Sequence, residues 1–412
     1  MKFGLLGHTL GHSYSPRIHH MLGNESYTLF EKEPHELDAF FADPDLQGLN
    51  VTIPYKRDAL KACHHVSEIA KRIGAVNTMI RKNSQWYGDN TDYQGFLYTL
   101  QYANIHVKDK QCLILGDGAS SHTIHIALDD LGSSEVIHIS RKTAPFYKDI
   151  EQFYDTADII INTTPVGMFP TCPDSLVDIS NFKHLSGVVD LIYNPLRTNL
   201  LLQAEQMHVP CVNGLPFLVA QAVASAKEFM GASFQDMSCE DIITSIRGEI
   251  ENIILVGMPG VGKTTVGLEL VQETGRNFFD IDQALAKEIG TVSTFIETHG
   301  EKAFSQAETA MIERYGKQTG LVISTGGGAV TMTENFAPLR QNGRIFQITQ
   351  PVDQLATSGR PLSSGGLERL KELERVRTPM YRAFAQCIID HHRNAPVTAG
   401  RILEDFQKHL KQ

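Results

Sequence analysis

Apolar residues come along this chain in short bursts, separated by longer stretches in which they recur every three or four positions. Bursts of four to seven read as strands, and the recurrent stretches read as helices. KFGLLG (2–7) and GLNVTIP (48–54) are strand-like, whereas HELDAFFADP (35–44) and RDALKACHHVSEIAKRIG (57–74) are helix-like. From residue 111 the rhythm is strand, glycine loop, helix, strand: QCLILG, SSHTIHIALDDLG, EVIHIS, then DIIINTT (158–164) and GVVDLIY (187–193). Such alternation predicts an α/β fold, a parallel sheet covered by helices. LPFLVAQAVASAKEFMG (215–231) predicts one apolar-faced helix closed by Gly231. Residues 232–250 carry no strand signal and predict a linker with a short helix, and a new strand, NIILV, begins at 252.

Length allows two or three domains, since 412 residues exceed what one core usually serves. The net charge of −10 argues against a non-specific nucleic-acid binder, which needs a basic face. No apolar run approaches the ~18 residues of a membrane span, and the N-terminal run is too short for a signal peptide. The six cysteines are scattered without a CxxC pair, and the histidines show no metal-binding spacing. The expectation is a cytoplasmic enzyme with reduced thiols, small-molecule substrates, and neither nucleic-acid nor membrane partners.

Two glycine loops carry the first chemistry. GDGASS (116–121) follows one strand-like burst and opens a helix-like stretch. Gly116 and Gly118, with Ala119 behind them, sit where a tight turn and close approach to a pyrophosphate are required. The next strand ends in Ser140-Arg141-Lys142 rather than an acid for a ribose hydroxyl, so Arg141 points to NADP(H) over NAD. GMPGVGKTT (257–265) matches the complete P-loop pattern. Gly257, Gly260 and Gly262 let backbone N–H groups cradle the phosphates of ATP, with Thr265 adjoining. Lys263 reaches the β/γ oxygens and Thr264 serves Mg²⁺. Downstream, Asp280 and Asp282 in FFDID project to one face if the segment is extended, one acid for metal and one for the accepting hydroxyl. STGGGAV (324–330) again follows an apolar strand, and RTPMY (377–381) opens a helix-like run.

The blocks GHTLGHSYSP (7–16), GLNVTIPYK (48–56), GAVNT (74–78), GDNTD (88–92), INTTPVGM (161–168) and DLIYNP (190–195), with the helix bearing Gln221, resemble those of shikimate dehydrogenases up to about residue 230. The resemblance implies a substrate domain over 1–100 completed by the helix 215–231, and a Rossmann-like NADP domain over 101–214. It implies that Ser13 and Ser15 hold the substrate carboxylate, that Thr52, Asn77, Tyr193 and Gln221 contact substrate, and that Lys56 and Asp92 are the catalytic pair. The chemistry fits: hydride attack builds charge on oxygen, and a lysine kept charged by a carboxylate can stabilise it and donate the proton. One departure is Asp117, where that family commonly has an uncharged residue.

Residues 252–410 resemble shikimate kinases in FFDID, HGEKAF, STGGGAV, SGRPL and RTPMY. That resemblance implies a P-loop kinase domain over 251–412, its parallel sheet flanked by helices. Asp282 orients the accepting hydroxyl, Asp280 serves the Mg²⁺ shell, Gly326, Gly327 and Gly328 line the pocket, Arg377 pairs with the shikimate carboxylate, and Arg360 rides a lid. Here the departure is larger. Ser305 stands where the family usually has a second carboxylate-clamping arginine, with Lys302 and Arg314 as candidate replacements. Together the resemblances imply NADPH-dependent reduction of 3-dehydroshikimate to shikimate, followed by ATP-dependent phosphorylation to shikimate 3-phosphate. The rivals are a dehydrogenase for quinate or a related hydroxy acid, and a second half that only binds and regulates.

Overall fold

The computed structural model describes residues 1–412 except 12, 171–173, 356–365, 393 and 412. The chain divides into two compact units, Met1–Asn194 with Thr198–Ile243, and Pro195–Arg197 with Thr244–Gln412.

The first unit holds two sheets. Strands β1 (Lys2–Gly7), β2 (Tyr27–Glu31), β3 (Leu46–Val51), β4 (His65–Val66), β5 (Thr78–Lys82) and β6 (Gln85–Asp89) run in the order β2-β1-β3-β5-β6-β4. β1, β2 and β3 are parallel, and β5 is antiparallel to β3 and β6. The β5–β6 hairpin turns at Asn83 and Ser84, both at positive φ, the backbone that a two-residue hairpin needs. The stretch 57–74, expected as one helix-like run, is divided into a helix Lys56–Ala62, strand β4 and a helix Glu68–Ile73. Ser67 is the cause: its hydroxyl accepts from Ala70 N–H and restarts the helix.

The second sheet, β7 (Gln111–Leu115), β8 (Glu135–Ile139), β9 (Ile159–Asn162), β10 (Gly187–Asp190) and β11 (Cys211–Val212), is parallel throughout, in the order β11-β10-β9-β7-β8. β9 and β10 are buried along their whole length, as strands covered on both faces by helices are. The apolar run after residue 214 forms the helix Leu215–Met230. It crosses the helix Asp92–Tyr102 so closely that a side chain at Gly95 would lie 2.9 Å from the Phe217 carbonyl. The same position would lie 3.2 Å from Gln221 Cβ, which puts Gln221 beside the helix that begins at Asp92.

The second unit has one parallel sheet, β12 (Asn252–Val256), β13 (Asn277–Asp280), β14 (Leu321–Ser324), β15 (Gly343–Thr349) and β16 (Cys387–Asp390), in the order β13-β14-β12-β15-β16. Residues 232–250, expected as a linker, contain a twelve-residue helix, Cys239–Ile250, in which Ile242, Ile243, Ile246 and Ile250 are buried. An apolar stripe at helical spacing explains why this stretch is packed. Glu251, fully buried, is held by Arg197 at 2.9 Å, His409 at 3.2 Å and Arg247 at 3.4 Å. Among the described residues no helix is long and apolar enough to cross a membrane.

Candidate active sites

In the first unit the site grows from strand ends. β1 and β3 are parallel neighbours with Leu6 opposite Val51, so the segments after Gly7 and after Val51 leave the sheet at the same end. Asn77 joins them, its carbonyl accepting from Val51 N–H. The segment after β3 carries Thr52 and starts the helix with Lys56 in its first turn; the segment after β6 does the same for Asp92.

Lys56 Nζ donates to Asp92 Oδ2 at 2.5 Å, and Asn77 Nδ2 donates to Asp92 Oδ1 at 2.7 Å. All three residues are buried. The Asn77 oxygen in turn accepts from Thr91 N–H and the Thr78 hydroxyl, so its amide orientation is fixed. Behind them Asn50 donates to Thr78 and accepts from Tyr27 and Ser225. Sequence reading named Lys56, Asp92 and Asn77, which the structure brings together, but not Asn50, Thr78 and Thr91, which lie inside the quoted blocks and brace them.

Ser13 Oγ donates to Ser15 Oγ at 3.1 Å, and the ring of the intervening Tyr14 lies 5.4 Å from that of Tyr193. Ser13 and Ser15 thus meet directly, while Tyr193 meets the tyrosine between them. Thr52 packs beside Gly7, and Gln221 is buried with its amide donating to the Leu218 carbonyl. Asp190, at the end of β10, was assigned no role. It accepts from Thr198, Asn162 and Ile192 N–H, and burial pushes its carboxyl up to about 7.

The first glycine loop leaves β7 with Gly116 at φ +122. A side chain there would sit 2.5 Å from Thr163 Oγ1, so the backbone can run close to a ligand only because nothing projects. Ser121 Oγ accepts from Gly118 N–H and meets the Thr163 hydroxyl at 2.7 Å, pinning the loop to the start of the helix Ala119–Asp130. A cavity of about 540 Å³ elsewhere on the unit, lined by Ser175, Asp178 and Gln203, contains none of the expected residues. The opening lined by Ser140, Arg141, Phe146, Tyr147 and Lys148, about 370 Å³, does contain Arg141. Its cation beside the loop fits an additional phosphate.

In the second unit β12 runs into the P-loop, with Gly257, Gly260 and Gly262 at positive φ. Side chains would strike the Ile348 carbonyl at Gly257 and the His391 ring at Gly262. Lys263 is buried, donating to the Gly257 and Met258 carbonyls at 2.8 and 3.2 Å. Thr264 Oγ1 donates to Asp280 Oδ2 at 2.8 Å, a hydroxyl and a carboxylate whose hard oxygens fit Mg²⁺. Thr265 is exposed. Among the described residues no group of three or more His, Cys, Asp or Glu is placed to hold a metal.

Contrary to the expectation of one extended segment, Asp280 ends a strand and Asp282 lies in a helix. Asp280 caps the helix Ile281–Ile289 by accepting from Gln283 N–H, so the strand ends there and Asp282 falls in the first helical turn. Asp282 nevertheless converges with a residue that sequence reading missed. A side chain at Gly326 would lie 2.1 Å from Glu308 Oε1 and 2.6 Å from Asp282 Oδ1. Glu308 is buried, and burial together with the Asp282 charge pushes its carboxyl up to about 7 against the opposing Arg377 and Lys263. The available signal was its spacing: Glu308 is one turn from Ser305 on the same helix face.

Arg377 and Tyr381 both donate to the Gly327 carbonyl, at 3.0 and 2.6 Å, placing Arg377 against the glycine triplet that Gly328 ends. RTPMY lies in the last turns of the helix Gly366–Phe384 rather than opening one, because the preceding LERLKELERV is itself strongly helix-forming. Of the candidates to replace the missing arginine, Arg314 pairs with Glu288 at the surface, and Lys302 is exposed. Arg360 lies outside the described residues.

Comparison with known proteins divides the chain the same way. Residues 5–79 match the shikimate dehydrogenase substrate binding domain, and residues 259–411 match shikimate kinase. The chain is 34% identical over 241 residues to the shikimate dehydrogenase (NADP(+)) of Clostridium beijerinckii, covering 54% of this chain and 88% of that one. Among solved structures it is similar to a chorismate mutase/shikimate 5-dehydrogenase fusion protein from Clostridium acetobutylicum, with 36% identity, a TM-score of 0.51, and coverage of 55% and 89%. It is also similar to shikimate dehydrogenase 1 from Peptoclostridium difficile, with 35% identity, a TM-score of 0.52, and coverage of 56% and 92%.

Proposed function

Because the chain belongs to the shikimate dehydrogenase family through its first half and carries a shikimate kinase domain in its second, we propose that its two sites perform successive steps on one substrate skeleton. It is a bifunctional shikimate-pathway enzyme using NADP(H) and ATP. The first unit reduces 3-dehydroshikimate to shikimate, and the second phosphorylates shikimate to shikimate 3-phosphate.

The observation that carries the reading is the buried Lys56–Asp92–Asn77 network. NADPH supplies the hydride. Lys56 stabilises the oxygen on which charge develops and gives it a proton; Asp92 holds the ammonium in place and accepts from substrate hydroxyls. Asn77, locked by Thr78 and Thr91, fixes the Asp92 carboxylate. Ser13 and Ser15 bind the substrate carboxylate, Thr52, Tyr193 and Gln221 complete the pocket, and Arg141 meets the 2′-phosphate. In the second unit Gly257 to Thr265 cradle the nucleotide phosphates, and Lys263 turns from the loop carbonyls to the β/γ oxygens. Thr264 and Asp280 would hold a metal ion, which would neutralise phosphate charge. Asp282 orients the accepting hydroxyl, Gly326 to Gly328 line the pocket, and Arg377 binds the substrate carboxylate. The domain boundaries 1–100, 101–214 and 251–412, and a cytoplasmic location, belong to the same reading.

The test supplies the purified chain with 3-dehydroshikimate, NADPH and Mg²⁺. Shikimate is expected to accumulate without ATP and to be replaced by shikimate 3-phosphate when ATP is added. Accumulation of shikimate in both cases leaves only the reductase.

A further inference from the structure

The glycine triplet Gly326-Gly327-Gly328 is faced by a carboxyl group to which the proposed reaction gives no part. Glu308 lies on the helix Glu301–Gly316, one turn beyond Ser305, and is 3% exposed. Both its oxygens face the triplet: a side chain at Gly326 would lie 2.1 Å from Oε1, and one at Gly328 would lie 4.0 Å from Oε2. Among the described residues nothing donates a hydrogen bond to either oxygen. A buried carboxyl that faces a pocket without a partner is costly unless a ligand completes it.

The groups around Glu308 decide which of its forms can serve a ligand. Asp282, in the first turn of the helix Ile281–Ile289, brings a second carboxylate to Gly326, its Oδ1 2.6 Å from the same side-chain position. Arg377 and Tyr381, from the helix Gly366–Phe384, both donate to the Gly327 carbonyl, and Lys263 donates to the P-loop carbonyls. Burial and the Asp282 charge push the Glu308 carboxyl up to about 7, against the opposing charges of Arg377 and Lys263. An ionised Glu308 can only accept hydrogen bonds and repels an anion, whereas a protonated one presents an O–H donor. A bond from that O–H to a carboxylate is charge-assisted, and so stronger than one between neutral groups.

We propose that protonated Glu308 is the second donor to the substrate carboxylate, with Arg377 as the first, and fills from the same helix face the place that Ser305 leaves without a cation. The assignment rests on the reading of the second unit as a site for shikimate. It gives the pocket a clamp with one permanent limb and one that depends on a proton. Below about pH 7 both limbs are present; as pH rises through that value the O–H is lost, and the charge left behind repels the substrate. An anion bound against Glu308 also favours its protonated form, so substrate and proton strengthen each other's binding.

The experiment measures KM for shikimate and for ATP in ADP formation by the full chain, between about pH 6 and 8.5, a range that brackets the shifted carboxyl. It compares the wild type with Glu308→Gln and Glu308→Leu; ionisation of ATP is common to all three and cancels. Gln keeps an N–H donor and cannot titrate, whereas Leu keeps the bulk and has no donor. At the acidic end Glu308→Gln is expected to match the wild type, while Glu308→Leu raises shikimate KM by about tenfold, the usual effect of losing one hydrogen bond to a charged group. Towards the alkaline end the wild type should approach Glu308→Leu, and Glu308→Gln should stay low. The change should fall on shikimate KM and far less on kcat or on KM for ATP. Equal shikimate KM in Glu308→Gln and Glu308→Leu at the acidic end would overturn the proposal, since Glu308 would then act through its charge alone. So would a wild-type pH profile retained in Glu308→Gln. A wild-type chain that forms no shikimate-dependent ADP at any pH would overturn the shikimate reading itself, and this assignment with it.

Discussion

In the first unit the charges of the proposed catalytic pair are bonded to one another: Lys56 meets Asp92 at 2.5 Å, Asn77 takes the other carboxylate oxygen, and all three are buried. In the second unit two carboxylates, Asp282 and Glu308, converge on Gly326, while the Arg377 guanidinium donates to the Gly327 carbonyl. The first arrangement is closed on itself, since each charge has its opposite as a direct hydrogen-bond partner. The second pits burial and like-charge repulsion against more distant cations, so protonation there responds to pH and to what enters the pocket. The proposed reductase site is thus a closed ion pair, the proposed kinase pocket a set of charges open to pH and ligand.

The largest effect that would break this contrast is at the closed pair. Lys56→Ala is expected to cut the rate of 3-dehydroshikimate reduction by roughly 10²–10⁴-fold, the range for a lost general acid, with NADPH affinity unchanged. Equal losses in rate and cofactor affinity would show that Lys56 merely braces the unit. Next comes Ser305→Arg, which restores a cation one turn from Glu308. KM of the kinase for shikimate should fall by roughly ten- to a hundredfold, the worth of a charge-assisted bidentate contact. An unchanged KM would mean that the substrate carboxylate is held elsewhere.

How much of this was legible from sequence differs between the two sites for a physical reason. Lys56, Asn77 and Asp92 lie in contiguous blocks at strand ends, where local sequence and position in the sheet coincide. The three parallel stretches of β7, β9 and β10 were also legible, because strands covered on both faces are continuous apolar runs. Glu308 was not, since its importance arises from tertiary convergence with Asp282 across a glycine. The geometry of Asp280 and Asp282 was misjudged because capping by Asp280 converts an expected strand into a helix start. The hairpin at Asn83 and Ser84 was missed because its positive φ angles leave no glycine in the sequence.

Two smaller effects sharpen the comparison through pH. Glu308 is held near 7, so it ionises as pH rises through neutrality and adds negative charge beside Asp282. Shikimate KM should therefore rise by several-fold across that window, because an anionic substrate meets one more negative charge. The Glu308→Gln variant should lack this rise, and retention of it there would place the titrating group elsewhere. In the first unit Asp190, also raised to about 7, acts on stability instead. The folded state keeps a proton that the unfolded chain releases near its ordinary value of about 4, so stability is fully present below that value. It falls as pH rises from about 4 to 7, by at most a few kcal/mol. Asn at 190 preserves the hydrogen-bonding shape, and Asp190→Asn should flatten this part of the denaturation profile; an unchanged slope would contradict the assignment.

The most direct measurement is shikimate-dependent ADP formation by the purified full chain, with Lys263→Ala as the blank. The expected result is saturable turnover that vanishes in the variant while 3-dehydroshikimate reduction continues at the wild-type rate. Absence of shikimate-dependent turnover, with reduction intact, would contradict two successive chemistries on one chain and leave the second unit a binding module.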